Sequence, residues 1–215
     1  QFTRDASHEL RSPLTVIRIS SELLLADEKL DDAGRRAAER IRRAASEMDE
    51  LTQAFLLLAR ESEAGLPSAP LCVNDVVAEE FERARALAAG KPVAASLRSS
   101  HRLTIDAPER VVAVLVGNLL RNAFSYTDRG EVEVTIDDRG VVIRDTGVGM
   151  SAERLGDVGR PFVRGESPQR GGHGVGLSIV RRLSDRFGWP VDIHSEVGIG
   201  TRVEIRFPVA RVEPV

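Results

Sequence analysis

The chain has 215 residues, is 42% hydrophobic but only 4% aromatic, and carries a formal net charge of −3. That length allows one or two domains with an aliphatic core, and the slightly acidic balance provides no general field for nucleic acid. The single cysteine, Cys72, excludes an internal disulfide and a multi-cysteine metal cluster, and no apolar run reaches the ~18 residues of a membrane-spanning helix.

The chain opens on Gln1 directly in a helical pattern and reads as a fragment of a longer protein. The spacing of Ala6, Leu10, Pro13, Ile17 and Leu24 predicts an amphipathic helix from Phe2 to Ala26. Residues 27–34 form a polar connection. A second helix carries Ala37, Ile41, Ala44, Met48, Leu51, Phe55 and Leu58 in a four-three alternation, the pattern of a coiled-coil seam. Two such helices make an antiparallel hairpin, and its wide apolar stripe predicts pairing with a second copy into a four-helix bundle. A hairpin packed on its own C-terminal domain is the alternative.

Gly65, Pro67 and Pro70 punctuate a linker, set at residues 63–70 between domains at 1–62 and 71–215. Asn74 is placed as the N-cap of a helix marked by Val76, Val77, Phe81, Ala84 and Ala88. Val93–Leu97 and Leu103–Ile105 read as short strands. Pro108 opens the next helix at its first turn. Glu131–Ile136 alternates strictly and pairs through Asp138-Arg139-Gly140 with a strand at Val141–Arg144. No element is assigned from Thr146 to Gly174. A helix at Val175–Phe187 and strands at Val191–His194 and Thr201–Phe207 complete an α+β domain with helices layered on a sheet. Trp189 is expected to pack near a strand start.

Four stretches carry chemistry. His8 lies roughly 160–200° round the helix from Ala6 and Leu10, so it should face water beside Glu9. An exposed histidine next to a carboxylate is either an ordinary surface residue or a nucleophile. Asn118 and Asn122 stack on one helix face. They are either core-satisfying amides or hard neutral ligands suited to Mg²⁺. Asp145-Thr-Gly147-Val-Gly149 ends a strand and offers a carboxylate for an exocyclic amine, with glycines for close approach to a flat ligand. Gly172-His-Gly174-Val-Gly176-Leu177 opens a helix whose free N–H groups favour phosphate. No strand immediately precedes it, so a dinucleotide fold fails, and no Gly-Lys-Ser/Thr follows for a Walker loop.

In this order the motifs resemble the catalytic core of a bacterial two-component sensor histidine kinase. Ser7-His8-Glu9-Leu10-Arg11-Ser12-Pro13 is similar to the family's H-box, Asn118–Asn122 to its N-box and Asp145–Met150 to its first glycine box. Phe162-Val-Arg164-Gly165 is similar to its F-box and Gly172–Leu177 to its second glycine box. Gly198-Ile-Gly200-Thr201 is similar to the glycine turn before its last strand. The resemblance implies an all-α helical hairpin forming a dimeric four-helix bundle, followed by an α+β two-layer sandwich of the GHKL type shared with gyrase, Hsp90 and MutL ATPases.

It further implies that ATP phosphorylates His8, with Glu9 as general base and Ser12 in the family's phosphatase pattern. Asn122 would ligate Mg²⁺ and Asn118 would face the phosphates. Asp145, with Gly147 and Gly149, would read adenine, flanked by Tyr126 and Thr201. Gly172, Gly174, Gly176 and Leu177 would approach the phosphates, and Arg164 would reach the terminal one. The implied partners are a second copy and a response-regulator receiver domain, with no nucleic acid. The implied location is the cytoplasmic portion of a membrane-anchored sensor whose membrane segments lie outside this chain. Two positions depart from the pattern. Ser125 stands where a cation is usual, and Ser12 stands where threonine or asparagine is usual. A gyrase-like ATPase would place a glutamate general base at the position of Asn118, and a scaffold would bind little nucleotide.

Overall fold

The computed structural model describes residues 2–27, 29–64, 67–156 and 175–214; the side chains of residues 2–11, 43, 47, 50, 51, 53–64, 154 and 175 lie outside that description. The chain divides near residue 65 into a helical unit and an α/β unit.

The helical unit is a hairpin of α1 (Phe2–Ala26) and α2 (Asp32–Ala64). Its turn closes through side chains that satisfy helix ends. The Gly34 N–H donates to Asp31 Oδ1 at 2.7 Å, an N-cap that also places a carboxylate at the positive end of α2. Arg35 reaches back to donate to the Leu25 carbonyl at 3.0 Å and the Asp27 carbonyl at 3.3 Å, covering the end of α1.

The seam between the helices differs from the predicted one. Leu14 and Ser21 on α1 and Ala38 and Ala45 on α2 are buried, whereas Ala37, Ile41, Ala44 and Met48 are exposed in the single chain. Pro13, Ile17 and Leu24 are likewise exposed. The buried line is therefore one residue on from the predicted stripe, roughly 100° round each helix. A two-helix hairpin buries only a narrow line, and small residues let its axes approach. The broader stripe of large side chains is left outside. Leu51, Phe55 and Leu58 carry side chains outside the described residues.

The α/β unit contains strands β1 (Ala69–Cys72), β2 (Val93–Ser99), β3 (His101–Ala107), β4 (Gly130–Ile136), β5 (Gly140–Asp145), β6 (Val191–Glu196), β7 (Gly200–Arg206) and β8 (Arg211–Pro214). Its helices are α3 (Val73–Arg85), α4 (Glu109–Tyr126), α5 (Ala152–Gly156) and α6 (Val175–Phe187). Five strands form a mixed sheet in the order β2-β4-β5-β7-β6, with β2 parallel to β4 and the other pairs antiparallel. The remaining strands form a small antiparallel sheet, β1-β3-β8.

Strand alternation sets the layers. Val132, Val134 and Ile136, Val141 and Ile143, and Val203 and Ile205 are buried on one face of the five-stranded sheet. Helices α3 and α4 pack through Phe81 and Phe124, whose rings meet edge to face at 5.7 Å. Leu115, Leu120, Phe124 and Leu183 are fully buried, each contributing about 1.5–3 kcal/mol of transfer free energy. Trp189 stacks on Phe187 at 4.9 Å and meets Phe207 edge-on at 5.3 Å just before β6, as its sequence position predicts.

Several boundaries differ from the sequence reading. α2 continues to Ala64 and β1 begins at Ala69, taking in Pro70 on an edge strand where no ladder N–H is required. Pro108 is the N-cap of α4, one residue before its first turn. The short helix α5 occupies part of the stretch left unassigned after Thr146.

Asn74 does not cap α3, whose N-cap is Cys72 without a side-chain bond to the helix's N–H groups. Its amide instead donates to Ser99 Oγ at 2.7 Å and the His101 carbonyl at 2.9 Å, while its oxygen accepts from the Leu103 N–H at 2.9 Å. One side chain thus pins the turn between β2 and β3 onto α3. Asn74→Ala should cost about 2 kcal/mol by removing these bonds. It should lower the urea midpoint followed by fluorescence of Trp189, the sole tryptophan. An unchanged midpoint would contradict this role.

Candidate functional site

The site begins at the end of β5. Alternation that buries Val141 and Ile143 also turns Asp145 inward, where it is only 8% exposed. Its Oδ1 accepts from the Gly147 N–H at 2.9 Å and the Thr201 N–H at 3.3 Å. Burial pushes the carboxyl above its ordinary value, and those two backbone bonds pull partly against that rise. Both bonds fall on Oδ1, so Oδ2 has no donor among the described residues.

Strand pairing extends the site sideways. Asp145 lies across from Thr201, and Thr201 across from Ser195, so three polar side chains share one face at the ends of β5, β7 and β6. Two glycines make the close packing there possible. Gly200 has φ +129°, and a Cβ on it would overlap the Asp145 carbonyl. Gly149 has φ +65°, and its Cβ would overlap the Glu196 carbonyl. Neither position tolerates an L side chain without moving backbone. The loop after Asp145 is then tied down by bonds from the Val148 N–H to the Tyr126 carbonyl at 3.2 Å and from the Gly198 N–H to the Val148 carbonyl at 2.8 Å.

The amides Asn118 and Asn122 come from α4. Asn118 is buried, and its Nδ2 donates to the Val114 carbonyl at 2.7 Å, which fixes its oxygen as the outward-facing atom. That oxygen would lie 3.0 Å from a Cβ at Gly176, and both amide atoms of Asn122 would lie 3.7 Å from it. Gly176 therefore lets the start of α6 sit directly against both amides. Leu177 follows it on α6, half-buried. Tyr126 ends α4 half-buried, and the Ser125 side chain is exposed.

The structure thus brings together Asn118, Asn122 and Gly176 at one place and Asp145, Gly147, Gly149 and Thr201 at another, within the same unit. Arg164, Gly172 and Gly174 lie outside the described residues. So do the side chains of His8 and Glu9, whose backbones lie on α1; Ser12 is exposed one turn further on. His101 and His194 take part in no metal-binding cluster among the described residues.

Two participants escaped the sequence reading. Lys91 donates to the carbonyls of Phe124 and Thr127, each at 3.3 Å, and of Ser125 at 3.4 Å, and it pairs with Asp128 at 3.3 Å. A cation here covers the negative end of the helix that carries both asparagines. Ser195 Oγ accepts from the Met150 N–H at 2.8 Å and lies 2.9 Å from Thr201 Oγ1. Nothing in the spacing of either residue marks it, because both act across elements remote in sequence.

Comparison with known proteins places these features in context. The model for the "Histidine kinase-, DNA gyrase B-, and HSP90-like ATPase" family matches residues 107–211, and that for the "His Kinase A (phospho-acceptor) domain" matches residues 1–64. The phosphate regulon sensor protein PhoR of Pseudomonas aeruginosa is 32% identical over 98% of this chain and 50% of its own length. The histidine protein kinase DivJ of Caulobacter vibrioides is 33% identical over 97% of this chain and 37% of its own. The chain therefore spans half or less of these relatives. Full-length ShkA, solved in complex with AMPPNP, superposes with a TM-score of 0.67 at 26% identity over 99% of this chain and 46% of that one. The cytoplasmic segment of the histidine kinase QseC shares the fold at 20% identity, with a TM-score of 0.53 over 73% of this chain and 89% of that one.

The glycine geometry is directly testable. Gly200→Ala should cost about 3 kcal/mol or more, since a backbone carbonyl blocks its Cβ. Gly198→Ala, with φ +79° but open space around its Cβ, should cost only about 1 kcal/mol. Denaturation midpoints of the two variants check this ordering; equal losses would contradict it.

Proposed function

Because the chain belongs to the sensor histidine kinase family, we propose that it uses ATP to phosphorylate His8 and passes the phosphoryl group to an aspartate of a response-regulator receiver domain. The observation that carries this reading is the convergence of Asn118, Asn122 and Gly176 at the start of α6, with the Asp145–Thr201 pair in the same unit. Helix starts favour phosphate through their free N–H groups. A buried carboxylate with an unused oxygen suits the exocyclic amine of adenine, and Tyr126, Gly147 and Gly149 would flank the base. ShkA, similar over nearly the whole chain, was solved with an ATP analogue.

Asn122 fits Mg²⁺, which binds neutral hard oxygens and keeps several waters. When bound, the ion would neutralise charge on the phosphate oxygens. The chain's own residues supply the rest. An imidazole nitrogen of His8 attacks the terminal phosphorus, a P–N bond forms, the bridging P–O bond breaks, and ADP leaves. Glu9 takes the imidazole proton. Gly172, Gly174 and Leu177 would line the phosphates with Gly176, and Arg164 would meet the terminal one, so positioning and electrostatics dominate the rate. In the second step the aspartate oxygen attacks and the P–N bond breaks. Ser12, one turn after His8, would orient water for removal of the phosphoryl group from the regulator.

The exposed apolar residues Val16, Ile17, Ile19, Leu23, Leu24, Ile41 and Met48 support a homodimer through the hairpin, because a single hairpin leaves them in water. The domain division that fits these elements is a dimerisation and phospho-acceptor part through Ala64, a connection at 65–68 in place of the expected linker at 63–70, and an ATP-binding part from Ala69 onward. Among the described residues no helix is long and apolar enough to cross a membrane. The location that fits the relatives is the cytoplasmic part of a membrane-anchored sensor.

Incubation with γ-labelled ATP and Mg²⁺ should give acid-labile label on the intact chain and none on His8→Gln. Label on His8→Gln, or phosphate release without protein labelling, would contradict the proposal.

A further inference from the structure

Ser195 sits behind the base-reading end of the proposed site and touches three partners at once. Its Oγ lies 2.8 Å from the Met150 nitrogen, 3.0 Å from the Gly200 carbonyl oxygen and 2.9 Å from Thr201 Oγ1. A hydroxyl has one proton to donate and two lone pairs to accept with. Met150 N–H can only donate, and the Gly200 carbonyl can only accept. If the Ser195 proton went to Thr201, two lone-pair-bearing oxygens would face each other at 3.0 Å with no proton between them. The arrangement that satisfies every atom sends the Ser195 proton to Gly200 and the Thr201 proton to Ser195.

The consequence falls on Thr201. Its hydroxyl proton is turned inward to Ser195, so it offers only lone pairs elsewhere. Thr201 stands directly across the ladder from Asp145, whose Oδ2, without a donor among the described residues, is also an acceptor. We infer that Ser195 is a specificity-determining positioning residue. By fixing the direction of the Thr201 hydroxyl, it sets Thr201 Oγ1 as a second acceptor beside Asp145 Oδ2, selecting a 6-amino purine over a 6-oxo one. The inference rests on the nucleotide-binding reading above and deepens it. The two protons of an exocyclic 6-amine can meet both acceptors, whereas a 6-carbonyl faces their lone pairs and leaves the base only its N1–H to donate, and a polar mismatch at that position discriminates more strongly than shape.

ATP and inosine triphosphate, which carries a carbonyl in place of the amine, are the probes. Binding of each with Mg²⁺ is measured by calorimetric titration on the His8→Gln chain, which prevents turnover. The parent should favour ATP. In Ser195→Ala the Thr201 hydroxyl is free to turn, and the preference for ATP over inosine triphosphate should shrink about tenfold. Ser195→Thr, which keeps the hydroxyl, should restore it. Loss of affinity for both nucleotides in Ser195→Ala with an unchanged ratio would overturn the inference, leaving Ser195 as a support for the Met150 loop. If the parent binds neither nucleotide, the kinase reading itself fails and this inference with it.

Discussion

The α/β unit depends on one close approach, that of β7 to the end of β5. Gly200 brings its backbone against the Asp145 carbonyl where no side chain fits, and the next N–H, from Thr201, then reaches Asp145 Oδ1. That bond and its partner from Gly147 hold a carboxylate in a place where burial disfavours its charge. Because both use the same oxygen, the other remains available. The turn that carries Gly147 and Gly149 is fastened to the end of α4 on one side and to the β6–β7 connection on the other. A shift at Gly200 would therefore be felt at Asp145, at the loop and at the helix bearing the two asparagines.

The hairpin presents the complementary case, an element that does not complete its own burial. Small side chains at Ala38 and Ala45 face α1, while Ile41 and Met48 stay exposed. An alanine seam brings two helices close but supplies little transfer free energy. The larger apolar side chains lie on the remaining faces, where a second hairpin would bury them. In the proposed kinase those faces would form the contact between two copies.

Legibility in the sequence followed how local each feature is. Asn118 and Asn122 could be read because four-residue spacing on a helix puts them together, and Asp145 because a strand pattern ends on it. His8 falls on α1 as the helical pattern predicts, with its side chain outside the described residues, whereas the buried line of the hairpin lies one residue on from the predicted stripe. The four-three pattern marks the widest apolar stripe, and in one hairpin that is not the line of closest contact. Four-residue edge strands such as β1 and β8 are too short to show a period, and Pro70 argued against a strand. Lys91 and Ser195 carry no signal in the sequence, and Asn74 shows only a capping pattern that it does not fulfil, for a common reason. Each acts on backbone groups at least 25 residues away in the chain, as in the bond from Ser195 to Met150 across 45 positions. No local pattern records such a partner.

The central claim is that the buried carboxylate of Asp145 is the acceptor that the nucleotide base requires. Asp145→Asn tests it most directly. The amide oxygen can keep both backbone bonds at the Oδ1 position, so the fold should persist, while the atom facing the base changes from acceptor to donor. Calorimetric titration with ATP and Mg²⁺ should show affinity falling about 100-fold or more, equivalent to about 2.7 kcal/mol, the loss of a hydrogen bond to a charged group. Affinity within about threefold of the unaltered chain would contradict the account.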